Sequence, residues 1–118
     1  TLNALVASDM VLIPIQTQFF ALMGLSMILD LLQLIENDLG YVIQKKYLLT
    51  LFDPRTKMAK EVVAQVRESL GEDVFKTAIP NNIRLAEAPS YGLPISLHAP
   101  DSPGALAYSN LAKEVMAL

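Results

Sequence analysis

The sequence predicts an α/β protein: a parallel sheet with helices packed on its faces. Three observations predict it. Continuous apolar runs at Met10–Ile15 (MVLIPI), Tyr47–Phe52 (YLLTLF) and Val74–Ile79 (VFKTAI) have the length and β-branching of buried strands. Helical patterns separate them, so the order is helix, strand, helix, strand, helix, strand, loop, helix. Polar residues collect just after the strands, at Gln16-Thr17-Gln18, Phe52–Thr56 and Pro80–Arg84. Parallel α/β sheets bind ligands outside the carboxyl ends of their strands, where these segments fall.

Each element has a local reason. Leu2–Ala7 (LNALVA) reads as a short helical piece ending near Ser8-Asp9. Met10–Ile15 reads as a strand buried on both faces, with Pro14 at its end, where a missing N–H is tolerable. Thr17 is the expected N-cap of a long helix over Phe19–Glu36. In that helix Leu22, Leu25, Leu29 and Leu32 form one apolar stripe, and Phe20, Met23, Met27, Leu31 and Leu34 cover a second face. A helix this apolar is buried or lies in an interface. Asn37-Asp38-Leu39-Gly40 stops it.

After the second strand, Asp53-Pro54 reads as N-cap and first helical residue. The helix it opens runs to Leu70, with Gly71 as its stop. Met58, Val62, Val66 and Leu70 are expected to face the core, widened by Ala59 and Val63. Pro80–Pro100 reads mostly as loop, with Ile95–His98 a short edge strand. Ser102-Pro103 opens a last helix, Gly104–Met116, with Leu106, Leu111 and Val115 apolar.

Composition narrows the function classes. The 118 residues suit one domain. Hydrophobic residues make up 53% and charged residues 18%, below the quarter or so usual for charged residues. Either the core is unusually full or apolar surface is covered by something outside these residues. A net charge of −3 gives no overall basic footprint for nucleic acid, so any such contact must be local. With no cysteine and one histidine, His98, neither thiolate chemistry, a histidine metal cluster nor a Ser-His-Asp triad has support. Phe19–Leu29 is too short an apolar run to span a bilayer, and the expected compartment is the cytoplasm. No GxxxxGK[ST] or GxGxxG loop is present. A chain of this topology handling a nucleotide by itself would need one.

The residues also carry a resemblance. VLIPIQTQFFALMGL, LLTLFDPRTKMAKEV, VFKTAIPNNIRLAEAPSYGLPI and GALAYSNLAKEV resemble, in order, the C-terminal half of the ParA/Soj chromosome- and plasmid-partitioning ATPases. These are deviant Walker A P-loop NTPases, related to MinD. RLAEAPSYGLP is the most distinctive stretch. The resemblance implies half of a doubly wound fold, one incomplete domain over residues 1–118. It implies ATP with Mg²⁺, a nucleotide-sandwich homodimer, DNA binding without sequence preference, and a ParB-like partner that stimulates hydrolysis. The family's Walker A lysine and both switch aspartates would precede Thr1, so these residues alone are expected not to hydrolyse ATP. The sheet edge left open would favour a dimer, domain-swapped or otherwise.

Residue by residue, Pro80-Asn81-Asn82 matches the family's Pro-Arg-Asn, which closes over the adenine base. The resemblance therefore assigns Pro80, Asn82 and, at the end of its strand, Thr50 to nucleotide binding. Asn82 alternatively serves as a turn residue bonding its own backbone. Arg84 and Arg55 match arginines that contact DNA phosphate in Soj-like members, with solvated surface as the alternative. Asn81 stands where relatives often carry a third arginine, and Gln18 where they often carry glutamate. Glu87 has no visible acid/base partner and is not assigned a catalytic role. No catalytic or metal residue is assigned. The competing reading is a non-catalytic DNA- or partner-binding module. A MinD-like membrane cycle is disfavoured, because Gly104–Leu118 holds one basic residue, Lys113.

Overall fold

The computed structural model describes residues 2–18 and 21–118, with the backbone alone at 21–23. Three strands, β1 (Val11–Gln16), β2 (Lys45–Phe52) and β3 (Val74–Pro80), form one parallel sheet in the order β1-β2-β3. Helix α1 (Leu2–Ala7) precedes β1; α2 (Ala21–Leu39) and α3 (Lys57–Leu70) make the two crossovers. After β3 come a helical turn α4 (Ile83–Glu87), a 3₁₀ turn at Ala88–Tyr91, a further turn α5 (Ile95–His98) and the long α6 (Pro103–Met116).

Both crossovers lie on one face, as right-handed βαβ connections require. There Leu25 and Leu32 of α2 and Val62 and Val66 of α3 pack on Ile13, Ile15, Tyr47, Leu49 and Val74. The opposite face is covered by α6, whose Ala107 and Leu111 meet Leu48, Phe75 and Ile79. Period-2 alternation decides which face each strand residue joins. Tyr47 and Leu49 go one way and Leu48 the other, so β2 is buried on both faces. Leu49 is fully buried, worth about 1.5–3 kcal/mol of transfer free energy.

β1 departs from expectation. Only Ile13 and Ile15 are buried; Leu12 and Pro14 are exposed. The physical reason is position: β1 pairs only with β2 among the described residues, and α6 covers only β2 and β3. In α2 the stripe of Leu25, Leu29 and Leu32 packs on the core, whereas Met27, Leu31 and Leu34 are exposed. The expected helix start at Phe19 and the side chains of Phe20, Leu22 and Met23 lie outside the described residues.

Several local expectations are also corrected. The N-cap of α3 is Thr56, whose hydroxyl accepts from the Ala59 N–H at 3.3 Å. Asp53-Pro54 is a turn three residues earlier, because the Asp53 carboxylate is taken by Arg55. Met58 consequently sits in the first turn, 47% exposed. Thr17 is fully buried, and its hydroxyl lies at 3.0 and 3.1 Å from the carbonyls of Thr50 and Leu51. It therefore ties β1 to β2 and is not free to cap. Ile95–His98 is a helical turn rather than an edge strand. In α6 the expected apolar positions divide: Leu111 is buried, Leu106 and Val115 are exposed, and the small Gly104, Ala105 and Ala107 make the tight face. Ser102 caps α6, accepting from the Ala105 N–H at 3.2 Å, with Pro103 at the first helical position.

Candidate functional site

The carboxyl ends of the strands are stitched together by a short run of hydrogen bonds. The Thr17 N–H donates to the Thr50 carbonyl at 3.0 Å, and the Asn81 N–H donates to the Phe52 carbonyl at 2.9 Å. The pairing of β2 with β3 slips here: the four residues Leu49–Phe52 oppose the three residues Ala78–Pro80. The extra residue makes a β-bulge, a device that re-aims side chains at functional edges. Leu51 lies within it at φ +53°, the one non-glycine residue with positive φ among those described. A leucine in that conformation costs about 1–3 kcal/mol and persists only where its surroundings hold it.

Above this bulge lies a cavity of about 360 Å³, lined among others by Gln16, Thr50, Pro80, Asn82, Leu85 and Tyr108. Ligand pockets run from about 300 to 1,000 Å³. Pro80 ends β3, and Asn82 stands at the N-cap position of α4. An asparagine there normally accepts from the first-turn N–H groups. Asn82 does not: its side chain makes no capping bond, and its Oδ1 is buried without a partner. An unpaired buried acceptor costs about 1–3 kcal/mol. The sequence alternative of a self-bonded turn side chain is therefore not what the side chain does. Thr50 reaches the cavity as well, its hydroxyl 3.4 Å from the Ile15 carbonyl across the β1–β2 pair.

The two arginines singled out by sequence follow β2 and β3, and each is already paired. Arg55 makes a bidentate pair with Asp53, Nε to Oδ1 at 3.0 Å and Nη2 to Oδ2 at 2.9 Å. These bonds pull the Asp53 carboxyl down from its ordinary 3.8 to about 2 and raise the arginine. Arg84 meets Glu87 Oε1 at 3.0 Å, and His98 Nε2 approaches the same oxygen at 3.4 Å. Those two bonds, Arg84's the larger, lower the Glu87 pKa. The ring of Tyr91 stacks on His98 with centroids 4.6 Å apart. Glu87, for which the sequence shows no partner, thus joins Arg84 and His98 within this loop.

Pro80, Asn82 and Thr50 are therefore brought together in one cavity, whereas Arg55 and Arg84 line none of it. Sequence reasoning missed Tyr108, Leu85 and Leu51. Tyr108 was findable, since it shares a helix face with Gly104 and Leu111 at i+4 and i+3 spacing. Leu51 was not, because nothing about leucine signals a left-handed backbone. Among the described residues no group of three or more His, Cys, Asp or Glu side chains could hold a metal ion. No described helix is long and apolar enough to cross a membrane.

Three parallel strands flanked by helices, with a cavity off their carboxyl ends, are the architecture of a P-loop NTPase-like α/β protein. A protein-family model described as an AAA domain matches residues 1–46. The chain is 48% identical over 118 residues to the chromosome-partitioning ATPase Soj of Thermus thermophilus, covering 99% of this chain and 47% of that protein. It is 46% identical, with the same coverage, to the sporulation initiation inhibitor protein Soj of Bacillus subtilis. To the chromosome partitioning protein ParA of Myxococcus xanthus it is 42% identical over 117 residues, 98% of this chain and 41% of that one. Over nearly its whole length the chain is similar to ParA/Soj-type partitioning ATPases, and it spans a little under half the length of these relatives.

Proposed function

We propose that this chain forms the base-binding side of an ATP site in a partitioning ATPase. The observation that carries the reading is the buried, unpartnered Asn82 Oδ1 in the cavity beside Pro80 and Thr50. The exocyclic amine of adenine is a donor that would satisfy it, and the Pro80 ring offers an apolar surface to the base. The keto oxygen of guanine at the same position would oppose it acceptor to acceptor. These residues contain no glycine-rich phosphate loop, so the triphosphate and its Mg²⁺ would be held by other residues. What this chain does is bind and orient the base and exclude water from it.

Arg84 and Arg55 are proposed as phosphate contacts to DNA, giving affinity without sequence preference. To serve, each must exchange its own carboxylate, Glu87 or Asp53, for a phosphate oxygen. The exposed apolar side chains of α2, Met27, Leu31 and Leu34, support the reading that further polypeptide covers that face, as in a homodimer. A ParB-like partner acting on hydrolysis belongs to the same proposal. The test is ATP hydrolysis by the full-length protein with and without non-specific duplex DNA. Stimulation by DNA of any sequence is expected. No hydrolysis at all sinks the enzyme reading and leaves the non-catalytic binding module, whereas hydrolysis that ignores DNA sinks the assignment of Arg84 and Arg55 to DNA.

A further inference from the structure

The cavity is shaped by a strained residue, and one buried hydroxyl faces that residue's carbonyl. We infer that Thr17 is a positioning residue: its hydroxyl latches Leu51 in the left-handed conformation and so sets the geometry of the base pocket. The inference rests on the base-pocket reading above for its functional half, and on the hydrogen bonds alone for its structural half.

Thr17 has 0% exposure, and a buried hydroxyl needs a partner. It has two acceptors within reach, the Thr50 carbonyl at 3.0 Å and the Leu51 carbonyl at 3.1 Å. The Thr50 carbonyl is also served by the Thr17 N–H. The hydroxyl is therefore needed chiefly at Leu51. Returning φ of Leu51 from +53° to a negative value swings that carbonyl away from Thr17, so the bond exists only while the residue is left-handed. The consequence propagates along the chain. Leu51 leads into Phe52, whose carbonyl holds the Asn81 N–H at 2.9 Å, and Asn81 precedes Asn82. On the other side, Thr50 lines the cavity and points its hydroxyl to the Ile15 carbonyl on β1. Both polar groups assigned to the base thus hang from the bulge that Thr17 holds. A single hydroxyl just past the end of β1 connects that strand to the wall of the pocket between β2 and β3.

Removing the hydroxyl while keeping the shape isolates this role. In Thr17→Val, Leu51 relaxes and the pocket loses its fixed acceptor. Thr17→Ser keeps the bond. Leu51→Gly removes the need for it, because glycine adopts positive φ without strain. Two readouts on the full-length protein separate the structural and functional halves. The first is the intraresidue amide-to-Hα NOE of residue 51, strong only at positive φ. The second is the ratio of ATP affinity to tripolyphosphate affinity, which reports the base apart from the phosphates.

We expect Thr17→Val to weaken the Leu51 NOE and to lower the ATP-to-tripolyphosphate ratio about tenfold, the effect of one buried hydrogen bond. Serine should restore both, and the valine penalty on the ratio should shrink in a Leu51→Gly background. A wild-type NOE in Thr17→Val overturns the latch. An unchanged ratio with a lost NOE overturns its link to the pocket. If the wild type itself shows no preference for ATP over tripolyphosphate, the base-pocket reading falls, and the NOE alone decides whether the latch exists.

Discussion

Replacing Gly104 with alanine tests how closely α6 and α4 must approach. Gly104 is buried in the first turn of α6. A Cβ there would lie 2.5 Å from Cγ of Leu85 and 2.9 Å from each of its methyl carbons. Carbon atoms in comfortable contact sit about 3.5–4.0 Å apart, so the overlap is about 1 Å and involves the branch point of the side chain. Leu85 cannot simply swing its tip aside. It packs on the cluster beneath α6 and lines the candidate pocket. Overpacking of this kind costs about 1–3 kcal/mol. Against it stands the helix propensity of alanine over glycine, about 1 kcal/mol. The expected net is a loss of about 1 kcal/mol, read as a lower urea midpoint by far-UV circular dichroism, with no change in slope. Gly104→Ala as stable as wild type, or more so, would refute the close approach. Equal stability would also remove the constraint that holds Leu85 against the pocket.

Further outcomes follow from the two charged pairs. Asp53 is held near 2 by Arg55, below its unfolded value of 3.8, so the pair stabilises the fold above about pH 4 and that contribution is lost as pH falls toward 2. Asp53→Asn should flatten the acid limb of the urea-midpoint profile between those values; a limb identical to wild type would contradict the pairing. Arg84→Ala in the full-length protein should weaken binding to all DNA sequences alike and take about one unit off the log–log salt slope. Glu87→Gln, which releases Arg84, should tighten it roughly two- to fivefold, and no change in either variant would show Arg84 to be solvated surface.

The sheet was legible because β2 and β3 are continuous apolar runs, and such runs have few alternatives once helical patterns separate them. The two-faced burial expected of β1 failed for a reason its own residues do not carry, namely that α6 reaches only β2 and β3. Cap assignment failed where two polar residues competed. Asp53 and Thr56 both precede α3, and the arginine two residues past Asp53 decided which one capped. Within the stretch read as loop, Pro89 and Pro94 each stand where a short helical turn tolerates a missing N–H. Pro80, Asn82 and Thr50 could be named from their place after the strands and from family resemblance. Their convergence on one cavity, and the unpaired Asn82 oxygen, depended on a bulge around Leu51 that no residue type announces.

The central claim is that Asn82 Oδ1 reads the base. Its most direct test is the affinity of the full-length protein for ATP and for GTP, in wild type and in Asn82→Asp. The wild type should prefer ATP by about tenfold, one buried hydrogen bond's worth. Asn82→Asp keeps an acceptor facing the adenine amine and should retain the preference, while Asn82→Leu should lose it. Equal affinity of the wild type for the two nucleotides, or a preference that survives in Asn82→Leu, would contradict the account.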